Sequence, residues 1–197
     1  MIVGIIGAGT MGSGIAQAFA QVDGYEVRLC DINEEFAANG KLRITKTLEK
    51  RVAKGKMAKE DADRIIAKIK TGTKEICSDC DLIVEAAVEN VDIKRQTFRE
   101  LDKICKPECI FTTNTSSLSI TQIAAGLEHH VVGMHFFNPA PVMKLVEIIA
   151  GLNTPKEVAD RVVAIATEIG KTPVEVREAA GFVVNRILIP MINEAIG

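Results

Sequence analysis

The strongest constraint on this chain lies between Met1 and Asp31. Ile2, Val3, Ile5 and Ile6 form an apolar run broken by Gly4, and the run ends in Gly7-Ala8-Gly9-Thr10-Met11-Gly12. A helix-like stretch through Phe19 follows, and a second strand-like run, Glu26 to Cys30, ends in Asp31. Glycine-rich turns are common by themselves. A G-x-G-x-x-G between strand and helix, with a carboxylate ending the next strand about 20 residues on, is a dinucleotide-binding arrangement. Gly7 permits the tight turn, Gly9 lets backbone approach a pyrophosphate, and Gly12 lets helix and strand pack closely. The free N–H groups and positive dipole end of the helix then face the phosphates. A ligand-free glycine-rich turn is the alternative. The pattern predicts NAD or a close relative. Asp31 favours NAD because it would repel a 2′-phosphate, whereas Arg28 argues the other way.

With 197 residues, 47% of them hydrophobic, the chain has room for one substantial α/β domain and little more. No run approaches the ~20 apolar residues of a membrane span, and the first strand is too short and its flank too uncharged for a secretory signal. Five cysteines, an odd number, fit a reducing cytoplasm better than a disulfide framework. Cys77-Ser78-Asp79-Cys80 and Cys105 through Cys109 both precede strands, away from the expected active face. They are read as reduced structural thiols, and no metal is expected. Charge is uneven. Residues 41–74 hold 12 of the 24 Lys and Arg but 4 of the 26 Asp and Glu, so this segment carries +8 and the remainder −10. A cationic patch on a mildly acidic chain suggests a polyanionic ligand. The segment has no Phe, Tyr or Trp for bases to stack on, which argues against nucleic acid. A solvated helical face without any partner is the plain alternative.

Asn33 can cap a helix whose first turn carries Glu34 and Glu35. Ile44, Leu48 and Val52 recur every four residues beside Lys46, Lys50 and Lys54. After Gly55, Ala62, Ile65, Ile66 and Ile69 define a second amphipathic helix. Apolar strands resume at Leu82–Val84, Ile110–Thr113 and Val131–Met134, with helices at Ile93–Cys105 and Ser119–Ala125 between them. That alternation predicts a parallel sheet covered on both faces. Lys144–Ile149 follows the Pro139-Ala140-Pro141 turn too closely for a helical crossover, so it is placed antiparallel to its predecessor. Pro155–Ile169 reads as a helix, Thr172–Val176 as a strand and Gly181 onward as a helix. Val183, Ile187, Met191 and Ala195 keep an apolar stripe with nothing left in the sequence to cover it, so a missing domain or a partner is expected to do so.

Three segments combine polar groups with strand or helix ends. Asn114-Thr115-Ser116-Ser117 follows a buried-looking strand, where open parallel sheets hold ligands; a helix N-cap is its other reading. His135 lies at the end of the next strand, and an imidazole is a natural proton acceptor when an alcohol is oxidised. A core histidine satisfied by its neighbours is the alternative. Glu147 sits in an otherwise apolar strand and needs a partner, because an unpaired buried carboxylate is costly. The antiparallel pairing brings Glu147 near His135, where it would orient the imidazole and stabilise its protonated form. A salt bridge to a lysine or arginine is the other possibility. Asn185 can add a hydrogen bond to substrate or to His135, or be a solvated helix-start residue. Glu89 and Lys94 can frame a nicotinamide ribose or be ordinary loop charges.

Six motifs now occur in one family's order: Gly7–Gly12, Glu85-Ala86-Ala87-Val88-Glu89-Asn90, Asn114–Leu118, His135-Phe136-Phe137-Asn138-Pro139, Lys144–Glu147 and Gly181-Phe182-Val183-Val184-Asn185-Arg186. Across essentially its whole length the chain resembles the L-3-hydroxyacyl-CoA dehydrogenases, most of all their bacterial 3-hydroxybutyryl-CoA branch of butyrate-type fermentation. The resemblance implies His135 as catalytic base, Glu147 as its partner, and Ser116 and Asn185 around the substrate oxygen. It implies Gly7, Gly9, Thr10, Met11, Gly12, Asp31, Glu89, Lys94 and Asn114 as NAD contacts. Lys50 and Lys54 become the expected counter-charges for the phosphates of coenzyme A. The family usually has proline where this chain has Ala180, which leaves the turn before Asn185 less restricted. It also continues for roughly another hundred residues as a helical, dimerising domain.

The expected fold is therefore α/β: a doubly wound, Rossmann-type, mostly parallel sheet over residues 1–180, with an inserted helical pair. Residues 181–197 are expected to be the first helix of a missing C-terminal helical domain. The implied activity is NAD-dependent interconversion of 3-hydroxybutyryl-CoA and acetoacetyl-CoA, in the cytoplasm, by a form that is a homodimer at full length. Two other readings stand beside it: a dehydrogenase of another β-hydroxy acid, and a non-catalytic dinucleotide-binding structural protein such as lens lambda-crystallin.

Overall fold

The computed structural model describes residues 1–197. In chain order the elements are β1 (Ile2–Ile6), α1 (Thr10–Ala20), β2 (Glu26–Cys30), α2 (Glu34–Ala53), α3 (Lys59–Ala67), β3 (Ile69–Gly72), β4 (Leu82–Glu85), α4 (Val91–Leu101), β5 (Ile110–Thr113), α5 (Ile120–Ala124), β6 (Val131–Phe136), β7 (Leu145–Ala150), α6 (Lys156–Glu168), β8 (Thr172–Arg177) and α7 (Val184–Ile196). They build one eight-stranded sheet in the order β3-β2-β1-β4-β5-β6-β7-β8. All neighbours are parallel except β6 and β7. The sheet is doubly wound, and the order reverses beside β1, which opens a crevice at the carboxyl ends of β1 and β4.

Residues alternate between two cores, one on each face of the sheet. Val3 and Ile5 of β1, Val132 and Met134 of β6, and Val146 and Ile148 of β7 pack with α1, α2 and α6. Ile6, Ile83, Val131 and Ile149 point the other way, towards Phe98 of α4 and Ile120 of α5. By the same alternation His135 and Glu147 belong to this second face.

Local chemistry explains the helix ends. Asn33 accepts from Phe36 N at 2.8 Å, Glu34 and Glu35 stand at the positive end of α2, and Lys50 and Arg51 stand at its negative end. Asn90 caps α4 by accepting from the Asp92 and Ile93 N–H groups.

Three expectations are corrected. Ile69 opens a strand instead of continuing the second helix of the inserted pair. Spacing alone suits a helix, but the outer edge of β2 needs a partner, and Val27 to Cys30 find it in Ile69 to Gly72. The helix after β4 ends at Leu101, not Cys105, because its last turn tightens to i→i+3 bonds, from Lys103 N–H to the Glu100 carbonyl at 3.3 Å and from Ile104 N–H to the Leu101 carbonyl at 2.9 Å. The last helix starts at Val184, not Gly181, because Gly181 and Phe182 have φ of 72° and 51°. That left-handed backbone cannot begin a right-handed helix.

Helix α7 buries none of its residues; Ile187 and Met191 are 64% and 60% exposed. No helix is long and apolar enough to cross a membrane.

Candidate active site

The glycine loop closes against the end of β2. Gly7 N–H donates to the Cys30 carbonyl at 2.8 Å, and Ala8 N–H donates to Asp31 Oδ2 at 2.7 Å. A Cβ on Gly12 would lie 1.7 Å from the Gly7 carbonyl oxygen, so only glycine permits this approach. A Cβ on Gly9 would meet nothing within 4 Å. The bare side of the loop thus faces open space at the start of α1. That helix has no side-chain cap and no acidic residue in its first turn, so the N–H groups of Thr10 and Met11 remain available to a phosphate. The residues present fit a dinucleotide.

Across the crevice, Glu85 ends β4 with no exposed surface. Its oxygens take the Lys94 ammonium at 2.8 and 2.9 Å, the Thr113 hydroxyl at 2.6 Å and Ala87 N–H at 2.7 Å. Lys94, 1% exposed, also reaches Glu89 Oε2 at 3.5 Å. Glu89 Oε1 in turn gathers the loop after β5: the Thr115 hydroxyl at 2.6 Å, Ser116 N–H at 2.8 Å and the Ser116 hydroxyl at 3.2 Å. Burial alone would raise the Glu89 pKa, but these donors and Lys94 outweigh it and hold it below the usual carboxylate range. It is an anion at neutral pH.

On the third wall, His135 and Glu147 are direct cross-strand partners. Directly opposed side chains share a face, and Nδ1 of His135 lies 2.8 Å from Glu147 Oε2. His135 is 6% exposed and Glu147 1%. A carboxylate facing Nδ1 serves as its hydrogen-bond acceptor, which leaves Nε2 as the ring nitrogen without a protein partner. Glu147 Oε1 accepts from Val183 and Val184 N–H, both at 3.0 Å, at the start of α7. The next residue, Asn185, donates to the Ser116 carbonyl at 3.2 Å, and Asn114 Oδ1 accepts from Phe136 N–H at 2.8 Å. Phe137 and Phe182 tilt against the imidazole with centroids at 4.6 and 5.7 Å.

A model of the 3-hydroxyacyl-CoA dehydrogenase NAD-binding domain matches residues 2–179. A 3-hydroxybutyryl-CoA dehydrogenase of Clostridioides difficile is 48% identical over 200 residues, covering 100% of this chain and 71% of that protein. The chain belongs to the 3-hydroxyacyl-CoA dehydrogenase family. Two crystal structures agree. The (S)-3-hydroxybutyryl-CoA dehydrogenase of Ralstonia eutropha superposes with a TM-score of 0.93 at 43% identity, over 98% of this chain and 69% of that one. The 3-hydroxybutyryl-CoA dehydrogenase of Escherichia coli K12 gives 0.94 at 41% identity, over 99% and 42%.

Within this dehydrogenase the expected site residues fall into three groups. Gly7, Gly9, Thr10, Met11, Gly12 and Asp31 surround the loop. His135, Glu147, Asn185, Ser116, Glu89 and Lys94 form one connected series through hydrogen bonds, the Lys94–Glu89 ion pair and the Val184–Asn185 chain link, with Asn114 tied to the adjoining strand. Lys50 and Lys54 stand apart, exposed near the end of α2. The cations of the inserted pair differ sharply. On α3, Lys59 and Arg64 are spent on Asp63 and Asp61, whereas Arg43 and Lys50 of α2 and Lys54 at its C-terminal cap have no ionic partner. Arg28 does not bear on the ribose, since its guanidinium is held by Glu26 and Asp79.

Sequence reasoning missed Glu85, Glu178 and Phe182. Glu85 ends an apolar strand, the same signal that singled out Glu147. Glu178 takes the Ser119 hydroxyl at 2.7 Å and Thr121 N–H at 2.9 Å, anchoring the segment before α7, and nothing local announced it. The five cysteines are free and buried. Hydrogen bonding among the thiols and burial push Cys77 and Cys80 well above the ordinary thiol range.

Proposed function

We propose that this chain interconverts 3-hydroxybutyryl-CoA and acetoacetyl-CoA, with NAD as its cofactor. The crevice formed by the glycine loop would hold NAD, which would supply the hydride chemistry at C3 of the substrate. His135 Nε2 accepts the hydroxyl proton in the oxidative direction and returns it in reduction. Glu147 keeps the imidazole in the one tautomer able to do this and stabilises its protonated form. Ser116 and Asn185 orient the substrate oxygen. Asp31 holds the adenosine ribose, the glycine loop with Thr10 and Met11 holds the pyrophosphate, and Glu89, Lys94 and Asn114 frame the nicotinamide end. Lys50 and Lys54 meet the coenzyme A phosphates, a role supported by their freedom from internal ion pairs. Residues 1–180 are the NAD-binding unit, and 181–197 begin a second, helical unit through which the full-length form pairs as a homodimer. The exposed apolar face of α7 supports that division. The working compartment is the cytoplasm, and neither nucleic acid nor membrane is a partner.

The observation that carries this reading is the 2.8 Å His135–Glu147 contact with Nε2 left free of any protein partner. NADH absorbance followed with acetoacetyl-CoA, with free acetoacetate, and with NADPH in place of NADH tests it. Oxidation of NADH by the thioester alone is expected. Equal use of free acetoacetate would move the substrate class to free β-hydroxy acids. NADH binding without oxidation, here and in a version extended at its C-terminus, would make the chain a structural dinucleotide binder.

A further inference from the structure

The turn between β6 and β7 is short of hydrogen-bond donors. Pro139 and Pro141 have no N–H, and the N–H groups of Val142 and Met143 both bond the Pro139 carbonyl at 2.9 Å. The carbonyls of Ala140 and Met143 receive no backbone donor. Both are instead taken by one side chain from the segment that enters β8, the strand beside β7. Lys171, one residue before β8, is 8% exposed, and its ammonium donates to Ala140 O at 2.5 Å and Met143 O at 2.9 Å. It has no carboxylate partner, and burial lowers its pKa from the usual lysine value. Removing an ammonium from water without a counter-charge is costly, as is burying an orphaned carbonyl. Each desolvation offsets the other only while the turn stays in place.

What the turn does there is visible from its other side. Ala140 is 2% exposed and packs on α1, where a Cβ on Gly14 would touch Ala140 and Pro141 at 3.3 Å. The turn is also one wall of a groove of about 190 Å³, formed by Asn138 and Pro141 with Thr10 of α1 and Arg43 and Thr47 of α2. That groove runs from the glycine loop along the helix carrying the unpaired cations.

We propose that Lys171 is a positioning residue for the substrate. Acting through the Ala140 and Met143 carbonyls, it holds the β6–β7 turn against α1 and so shapes the groove that receives the phosphate-bearing part of coenzyme A. The role rests on the acyl-CoA reading above.

Lys171→Met and Lys171→Arg are compared with the unmodified chain by amide hydrogen exchange and by calorimetric binding of coenzyme A and of NADH. In Lys171→Met, exchange at Val142 and Met143 should quicken, and coenzyme A should bind more weakly, each about tenfold, the scale of one charge-assisted hydrogen bond. NADH affinity should not change, and Lys171→Arg should recover part of both losses. If the methionine variant does not fold, Lys171→Gln, which keeps donors without charge, should show a smaller change at the same two amides. Unchanged exchange at Val142 and Met143, or a parallel loss of NADH and coenzyme A binding with exchange rising throughout, overturns the proposal. An unmodified chain that binds NADH but no coenzyme A overturns the acyl-CoA reading and this role with it. Binding by the unmodified chain that Lys171→Met leaves intact overturns this role alone.

Discussion

His135 keeps one ring nitrogen free because Glu147 occupies the other, and that division is what a proton acceptor requires. Replacing His135 with alanine is therefore expected to lower turnover by about 10³-fold, the scale of general acid–base catalysis, while NADH fluorescence titration shows unchanged binding. Undiminished turnover would refute the assignment. A different residue gives a test without substrate. Glu89 has its pKa held below the ordinary 4.5 in the folded chain. A depressed carboxylate contributes stability that is present above the ordinary value and disappears as pH falls through the folded one. Glu89→Gln should therefore lower Tm at pH 7 and leave it nearer the unmodified protein's below pH 4, a window set by that shift. A constant difference across the acid range would show that the carboxylate charge is not involved.

The meeting of β7 and α7 couples the His135–Glu147 pair to the helix bearing Asn185. Glu147 Oε2 faces the imidazole while Oε1 caps the first N–H groups of α7, where a negative charge is favoured by the helix dipole. Glu147→Leu breaks both connections. It should cost about 3 kcal/mol in a urea melt, as expected when one partner of a buried polar pair is lost, and speed amide exchange at Val183 and Val184. Glu147→Gln keeps an acceptor and the shape, so those two amides should stay protected while turnover drops. Equal protection of the two amides in both variants would argue that α7 is held by something other than this carboxylate. The contrast between α2 and α3 belongs to the same scale: the two cations of α3 are outnumbered by Glu60, Asp61 and Asp63, whereas α2 presents cations without ionic partners, so the unpaired helical charge of the +8 segment stands on α2.

For the molecule as a whole, the reversal of strand order beside β1 sets the glycine loop, the Glu85–Lys94 pair and the His135–Glu147 pair around one crevice. Two cores fix the sheet from both sides, and α7 contributes to neither through any buried residue. Changing Ile187 and Met191 together to lysine should thus leave Tm within about 2 °C, because exposed substitutions remove little buried area. The same double change should reduce binding of a hydrophobic dye. A large fall in Tm would mean that α7 packs on the sheet far more tightly than its exposure shows.

Much of this was legible locally. The glycine turn with Asp31 announced the first βαβ unit, because only glycine tolerates a carbonyl 1.7 Å from a would-be Cβ. The single carboxylate in the apolar run Leu145–Ile149 announced a partner, and short loop length set the antiparallel step that supplied it. Spacing could not separate the end of α3 from β3, because Ile65, Ile66 and Ile69 suit a helix until an unpaired strand edge competes for the chain. Nor could it foresee Glu178 on Thr121, Lys171 on the Ala140 carbonyl or Glu147 on the Val183 amide. Those contacts join residues 31 to 57 positions apart, and even the last, at 36, depends on how the chain leaves β8. Periodicity and glycine chemistry determine elements and their order, since these depend on neighbours along the chain. Which buried charge finds which backbone group was decided only when the folded sheet brought distant segments within hydrogen-bonding distance.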